Sequence, residues 1–263
     1  MKRITAEELK RLQLEILENV HNYCQTNRLT YFLACGSLIG AIRHGGYIPW
    51  DDDIDIYMPR KDYDIFIRNY SNINYKIRSI EVDKDYNLLF AKVENIQTLL
   101  LENYDYWPNI GVNIDIFPID GVPNNLSDRK SLFRKLVKLK NKRNLKVMRL
   151  RNGRKWYKNL FLKLSKLFIL RTPRKLAEMY WSLVDKNDQT TEYVSETMSR
   201  FGIKACFPRT YIQSTTDIKF ENLNVKTMSN YDKYLKIMYG DYMELPPISQ
   251  RTTHHTINAF WKN

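Results

Sequence analysis

Apolar and polar positions along the chain follow two periods, one helical and one of two. In TAEELKRLQLEILENVHNYCQ, Leu9, Leu12, Ile16 and Val20 recur on one helical face, and Thr5 with Glu8 forms a candidate capping box. A helix is predicted there. YFLAC is a short apolar run and predicts a strand. GSLIGAIRH predicts a tight turn into a short helix, and HGGYIPW is turn chemistry. IDIYM alternates as a strand does, and Pro59 stands at a predicted helix start before RKDYDIFIRNY. Further strands are expected at 74–82, 86–93, 96–103 and 111–117. Residues 127–188 read as helical, with breaks near Gly153 and Pro173. TDIKFENLNVKTM predicts a hairpin, and NYDKYLKIMYG a helix ended by Gly240. Strands and helices alternate irregularly, which points to a mixed α/β or α+β domain with a helical insert; of the two, α+β, with a mixed β-sheet flanked by helices, is the expected class. The expected division is a core over 1–126, the insert over 127–190, and a C-terminal part over 191–263 that completes the core.

Charge changes this picture. The chain has 263 residues and a net charge of +13. Residues 129–175 hold 19 of the 42 Lys and Arg and no Asp or Glu. The remainder carries 23 basic and 29 acidic side chains, a net of −6. A mildly acidic body thus bears one strongly basic segment, whose partner should be anionic: a membrane surface, a phosphorylated lipid or nucleic acid. Cys24, Cys35 and Cys206 are odd in number and far apart, which fits reduced thiols and no disulfide framework. MKRITAEELKRL lacks the apolar run of a signal peptide, and no stretch is apolar enough to span a bilayer. A cytoplasmic protein is expected, with 129–175 as its contact to an anionic inner membrane face.

The run Asp51 to Asp55 puts four aspartates into five positions, with Ile54 among them. In a strand, Asp53 and Asp55 share one face while Ile54 and Ile56 point to the core; Asp51 joins them if the chain is extended that early. Two adjacent carboxylates repel each other, and a hard cation between them removes the conflict. Mg²⁺ (or Mn²⁺) is held in this way, by one or two carboxylates plus substrate phosphates. In GVNIDIFPID, Asp115 lies on a second alternating strand and supplies a third carboxylate if the two strands pair. Gly36 and Ser37 precede a short helix whose N-terminal N–H groups suit a phosphate, and Arg43 can add a charged clamp. Aspartate runs are ordinarily solvated loops. Here the Gly-Ser turn, the alternation and the second acidic strand argue for a metal–phosphate site.

The stretch GSLIGAIRHGGYIPWDDDIDIYMPRKDYDIF resembles the signature of the LicD family of phosphocholine transferases, which fukutin-related proteins share. IDIFPID, YGDYMELPP and RTTHH resemble later blocks of the same family. The resemblance covers roughly 31–120 and 205–256; Gly45 departs from it, within the turn. It implies a nucleotidyltransferase-like fold and a transferase that moves phosphocholine from CDP-choline to a glycan hydroxyl, releasing CMP. Relatives move polyol phosphates from other CDP-activated donors. By match of motif, Asp53, Asp55 and Asp115 fall on the metal-binding carboxylates, and Gly36 and Ser37 on the phosphate-binding turn. Asp115 either accepts the acceptor's proton or is a ligand only.

Four aromatic residues, Trp50, Tyr104, Tyr106 and Trp107, are candidates for a cage around choline or the nucleotide; ordinary packing explains them equally well. Arg251, His254 and His255 are candidate tail contacts to donor phosphates. In the insert, Trp156, Leu160, Leu164 and Phe168 form a helical stripe with lysines interspersed. The stripe alone predicts packing on the body, while the acid-free 129–175 predicts a surface role and a glycan or lipid-linked glycan acceptor. A nucleic-acid nucleotidyltransferase is the competing enzyme reading, disfavoured because the insert holds no recognised RNA-binding motif. A basic adaptor without catalysis is the third, and it predicts that Asp53 and Asp55 are dispensable.

Overall fold

A computed structural model describes residues 1–101, 109–150, 153–184, 190–252 and 258–262. The first helix, α1 (Ala6–Asn27), starts at Thr5, whose hydroxyl accepts the Glu8 N–H at 3.2 Å. The capping box is half made: the Glu8 carboxylate accepts from the Trp261 indole instead. α1 buries Leu9, Leu12, Ile16, Leu17 and Val20. It is followed by β1 (Phe32–Leu33), α2 (Cys35–His44), β2 (Asp55–Pro59) and α3 (Arg60–Asn69). Then come β3 (Tyr75–Arg78), β4 (Ala91–Asn95), β5 (Thr98–Leu101) and β6 (Asn113–Val122).

The central sheet is mixed, in the order β1-β2-β6-β4-β3. Only the β2–β6 pair among these is parallel, and its register sets Asp55 opposite Asp115. β6 is longer than the alternation predicts, because it runs through Pro118. That proline is tolerated where it stands. Pairing with β4 ends at Ile116, and pairing with β7 (Tyr193–Ser195) begins at Asp120, so the missing N–H falls in the gap. β8 (Cys206–Pro208) adds to β7. The expected strand at 86–93 forms only from Ala91; Tyr86 and Leu88 instead pack with Ile110 in a small cluster of their own.

Helices cover the sheet. α4 (Leu126–Val147), α5 (Trp156–Phe168) and α6 (Pro173–Leu183) occupy the basic segment, with Pro173 in the first turn of α6. Leu136 of α4 and Ala177, Tyr180 and Trp181 of α6 form a second apolar cluster with Ile80, Leu89 and Met198. The predicted hairpin is β9 (Thr215–Phe220) with β10 (Leu223–Met228). α7 (Tyr231–Tyr239) ends at Gly240, whose φ of 70° suits glycine. β11 (Asn258–Trp261) pairs with β5.

The stripe on α5 corrects one expectation. Trp156, Leu160, Leu164 and Phe168 do not pack on the body; all four are exposed, and the helix buries Leu162 instead. Helical spacing groups these side chains but carries no information about which side meets the protein. No helix among the described residues is long and apolar enough to cross a membrane.

Candidate active site

The acidic run begins after a turn in which the Asp51 N–H donates to the Ile48 carbonyl at 2.8 Å. Burial then alternates along the run. Asp52, Ile54 and Ile56 are buried, while Asp51, Asp53 and Asp55 are partly exposed and face one cavity. Asp53 stands ahead of β2 rather than within it. The backbone is nonetheless held in line from two sides: Asp115 N–H donates to the Ile54 carbonyl at 2.8 Å, and Ala34 N–H to the Asp55 carbonyl at 3.0 Å. Ser37 adds a third tie. Its hydroxyl accepts the Asp55 N–H at 2.9 Å and is buried, so this serine fixes the acidic strand and does not line the cavity.

Because β2 and β6 are parallel and in register, Asp115 projects on the same face as Asp55. Burial, then the charges of Asp53, Asp115 and Asp51, push the Asp55 carboxyl well above the usual carboxylate range, against the pull of Lys92. Burial, then Asp52, raises Asp51 in the same direction. One carboxylate oxygen from each of Asp51, Asp52 and Asp53 lies within 4.8 Å of the others. An all-oxygen donor set whose charge the fold does not fully neutralise fits a hard divalent cation such as Mg²⁺ or Mn²⁺.

The α2 N-terminus abuts this cluster. A methyl group on Gly36 would stand 2.6 Å from Asp51 Oδ2, so any side chain here would displace the Asp51 carboxylate. Arg43, at the other end of α2, lines the cavity and donates to the Tyr242 and Glu244 carbonyls at 3.0 and 3.2 Å. Burial, then the Arg251 charge, lowers its pKa.

Three cations escaped the sequence reading. Lys92 on β4 is the register partner of Asp115; its ammonium bonds that carboxylate and donates to Asn113 Oδ1 at 2.9 Å. Arg143 and Lys140 reach the cavity from α4. Arg143 is buried and donates to the Asn87 carbonyl and side chain at 2.7 and 3.0 Å; burial lowers its pKa to about 10. Lys140 donates to the Met198 and Ser199 carbonyls. Nothing in the sequence distinguished these two from the other basic residues of 129–175.

The cavity measures about 670 Å³. Trp50 lines it, with the Arg251 guanidinium 5.6 Å from the Trp50 ring centroid. Phe90, Phe117, Phe201, Tyr239 and Tyr242 supply further aromatic wall. Tyr239 and Tyr242 belong to the YGDYMELPP block, a signal the sequence did hold. Tyr104, Tyr106, Trp107, His254 and His255 lie outside the described residues. Glu196 also lines the cavity, its carboxyl pushed up to about 8 by burial.

The family model described as LicD/FKTN/FKRP, nucleotidyltransferase domain, matches residues 28–133, which include α2, the acidic run and β6. Lipopolysaccharide cholinephosphotransferase LicD of Haemophilus influenzae is 31% identical over 274 aligned residues, covering 99% of each chain. An uncharacterised protein of Rickettsia typhi is 32% identical over 82 residues, 30% of this chain and 26% of its own. One of Rickettsia prowazekii is 38% identical over 48 residues, 18% of each.

Proposed function

We propose a function from one premise: the chain belongs to the LicD family. It transfers phosphocholine from CDP-choline to a hydroxyl of a cell-surface glycan such as lipopolysaccharide, and releases CMP. The relative from Haemophilus influenzae, whose name states cholinephosphate transfer to lipopolysaccharide, supports the substrate class. The observation that carries the reading is that Asp51, Asp53 and Asp55 face the same cavity as a wall of aromatic rings and two cations from α4. The carboxylates suit a diphosphate donor held with a divalent cation. The rings suit a quaternary ammonium head group, and the two cations suit the donor's phosphates. The mixed sheet supports a nucleotidyltransferase-like fold.

Asp53 and Asp55, with Asp51 and Asp115 beside them, would hold Mg²⁺ (or Mn²⁺). The cation, when bound, offsets the negative charge that builds on the transferring phosphoryl group. Arg143, Lys140 and the α2 N-terminus at Gly36 orient the donor phosphates. The acceptor oxygen bonds to the phosphorus that bears choline. The bond from that phosphorus to the oxygen bridging to CMP breaks, and CMP leaves with that oxygen. A carboxylate of the cluster takes the hydroxyl proton. Of the two roles left open for Asp115, proton acceptance suits it less, because Lys92 bonds its carboxylate and it is not among the cavity-lining residues.

The test offers purified protein CDP-choline, CDP-ribitol and CDP-glycerol with Mg²⁺ and measures CMP release with and without lipopolysaccharide. Acceptor-dependent release from CDP-choline is expected. Preference for a polyol donor would overturn the choline assignment, and silence with every CDP donor would overturn the transfer itself.

A further inference from the structure

The outer side of α5 is apolar, and nothing among the described residues covers it. Trp156, Leu160, Phe161, Leu164, Leu167 and Phe168 are between 46% and 79% exposed. At the helical step of ~100° per residue they fall within a sector of about 140°, and Leu162, the buried residue, lies outside it on the opposite side. Lys158 and Lys163 flank the sector on its two edges. Beside the helix runs a groove of about 520 Å³, lined by Leu145, Met148, Tyr157, Phe161 and Leu162, with Arg154 and Lys158.

We propose that α5 is an in-plane membrane anchor whose partner is an anionic phospholipid bilayer. The apolar sector enters the acyl boundary, and the lysines at its edges extend to the phosphates, as long basic side chains do at interfaces. Charge selects this occupant over others. The 129–175 segment has no acidic residue, so two copies meeting through this face would bring like charges together. A nucleic acid would want the cations outermost, whereas the outermost sector here is apolar.

The placement also serves the cavity. Lys140 and Arg143 of α4 line the cavity, and Leu145 and Met148, the latter in the residue capping that helix, line the groove. At 1.5 Å per residue, Arg143 and Met148 are separated by only about 8 Å along the axis. α4 thus carries the cavity wall on one side and the groove on another, so a bilayer under α5 lies within one helix of the cavity and can present a membrane-held acceptor to it.

The test is flotation of the full chain with phosphatidylcholine vesicles, with and without phosphatidylglycerol, and with a Leu167→Glu/Phe168→Glu variant. Both side chains are largely exposed, so the variant should melt with the wild type. Wild type is expected to bind phosphatidylglycerol vesicles at least about tenfold better than phosphatidylcholine alone, less so in high salt, and the variant to lose about tenfold or more. Equal binding by wild type and variant, or no preference for phosphatidylglycerol, overturns the proposal. So does a concentration-dependent dimer, or capture of an RNA oligonucleotide, that the variant abolishes while vesicles are ignored. Neither donor nor glycan enters this assay, so its failure leaves the transfer reading standing.

Discussion

Asp51, Asp53 and Asp55 sit on backbone that neighbouring strands and Ser37 hold from several sides. Most of the described basic side chains of 129–175 sit on helices, which bury a few of them and expose many more. The two regions concentrate charge to a similar degree and organise it differently. On the extended run, period two by itself puts three carboxylates on one side and Asp52, Ile54 and Ile56 on the other. On the helices, charge density says nothing about direction. α4 turns Arg143 into the cavity, while α5 turns apolar rings away from the protein. A second contrast lies within β6. Asp115 joins the carboxylate cluster, whereas Asp120, five residues on, is fully buried and takes Arg60 in two hydrogen bonds of 2.6 and 2.9 Å. One aspartate stands beside Asp55, and the other ties α3 to the sheet.

The hardest way to break the first contrast is to remove charge from the extended run. Asp53→Asn and Asp55→Asn should each lower CMP release on the order of a thousandfold while the circular dichroism of the folded chain is kept. Near-wild-type turnover in either would show that the run is only a solvated loop, and would favour an adaptor role.

A smaller effect is expected behind the cluster. Lys92 bonds Asp115 and is expected to position it, so Lys92→Met should cost roughly 10–100-fold. The loss should appear as a raised Mg²⁺ requirement, and Lys92→Arg should restore part of it. An unchanged Mg²⁺ dependence in Lys92→Met would assign the lysine to strand packing alone.

Much of this was legible in the residues. Thr5 and the α1 stripe, the β9–β10 hairpin, the Gly240 stop and the alternation of the acidic run all depend on local chemistry. What escaped depends on register and on the direction of burial. Lys92 reads as an ordinary strand lysine until β4 sets it against Asp115. Arg143 is one of 19 similar residues until Asn87 holds it in the wall. Pro118 reads as the end of a strand until the gap between β4 and β7 accommodates it.

The claim on which the account rests is that the fold gathers these carboxylates at a cost that a divalent cation relieves. Asp55 binds its proton more tightly in the folded chain than in the unfolded one. The native state therefore carries the extra proton above the usual carboxylate range, and stability falls as pH rises through that window. Glu196 adds a slope of the same sign between about 4.5 and about 8. Melting of the metal-free protein at neutral pH, wild type against Asp55→Asn, with and without Mg²⁺, tests the claim directly. The account predicts that Asp55→Asn melts higher without cation by about 2–4 °C, the shift that roughly 1 kcal/mol gives in a chain near this size, and with a shallower pH slope. Mg²⁺ should raise wild type and leave the variant nearly unmoved. A variant less stable than wild type without cation, or raised equally by Mg²⁺, would contradict it.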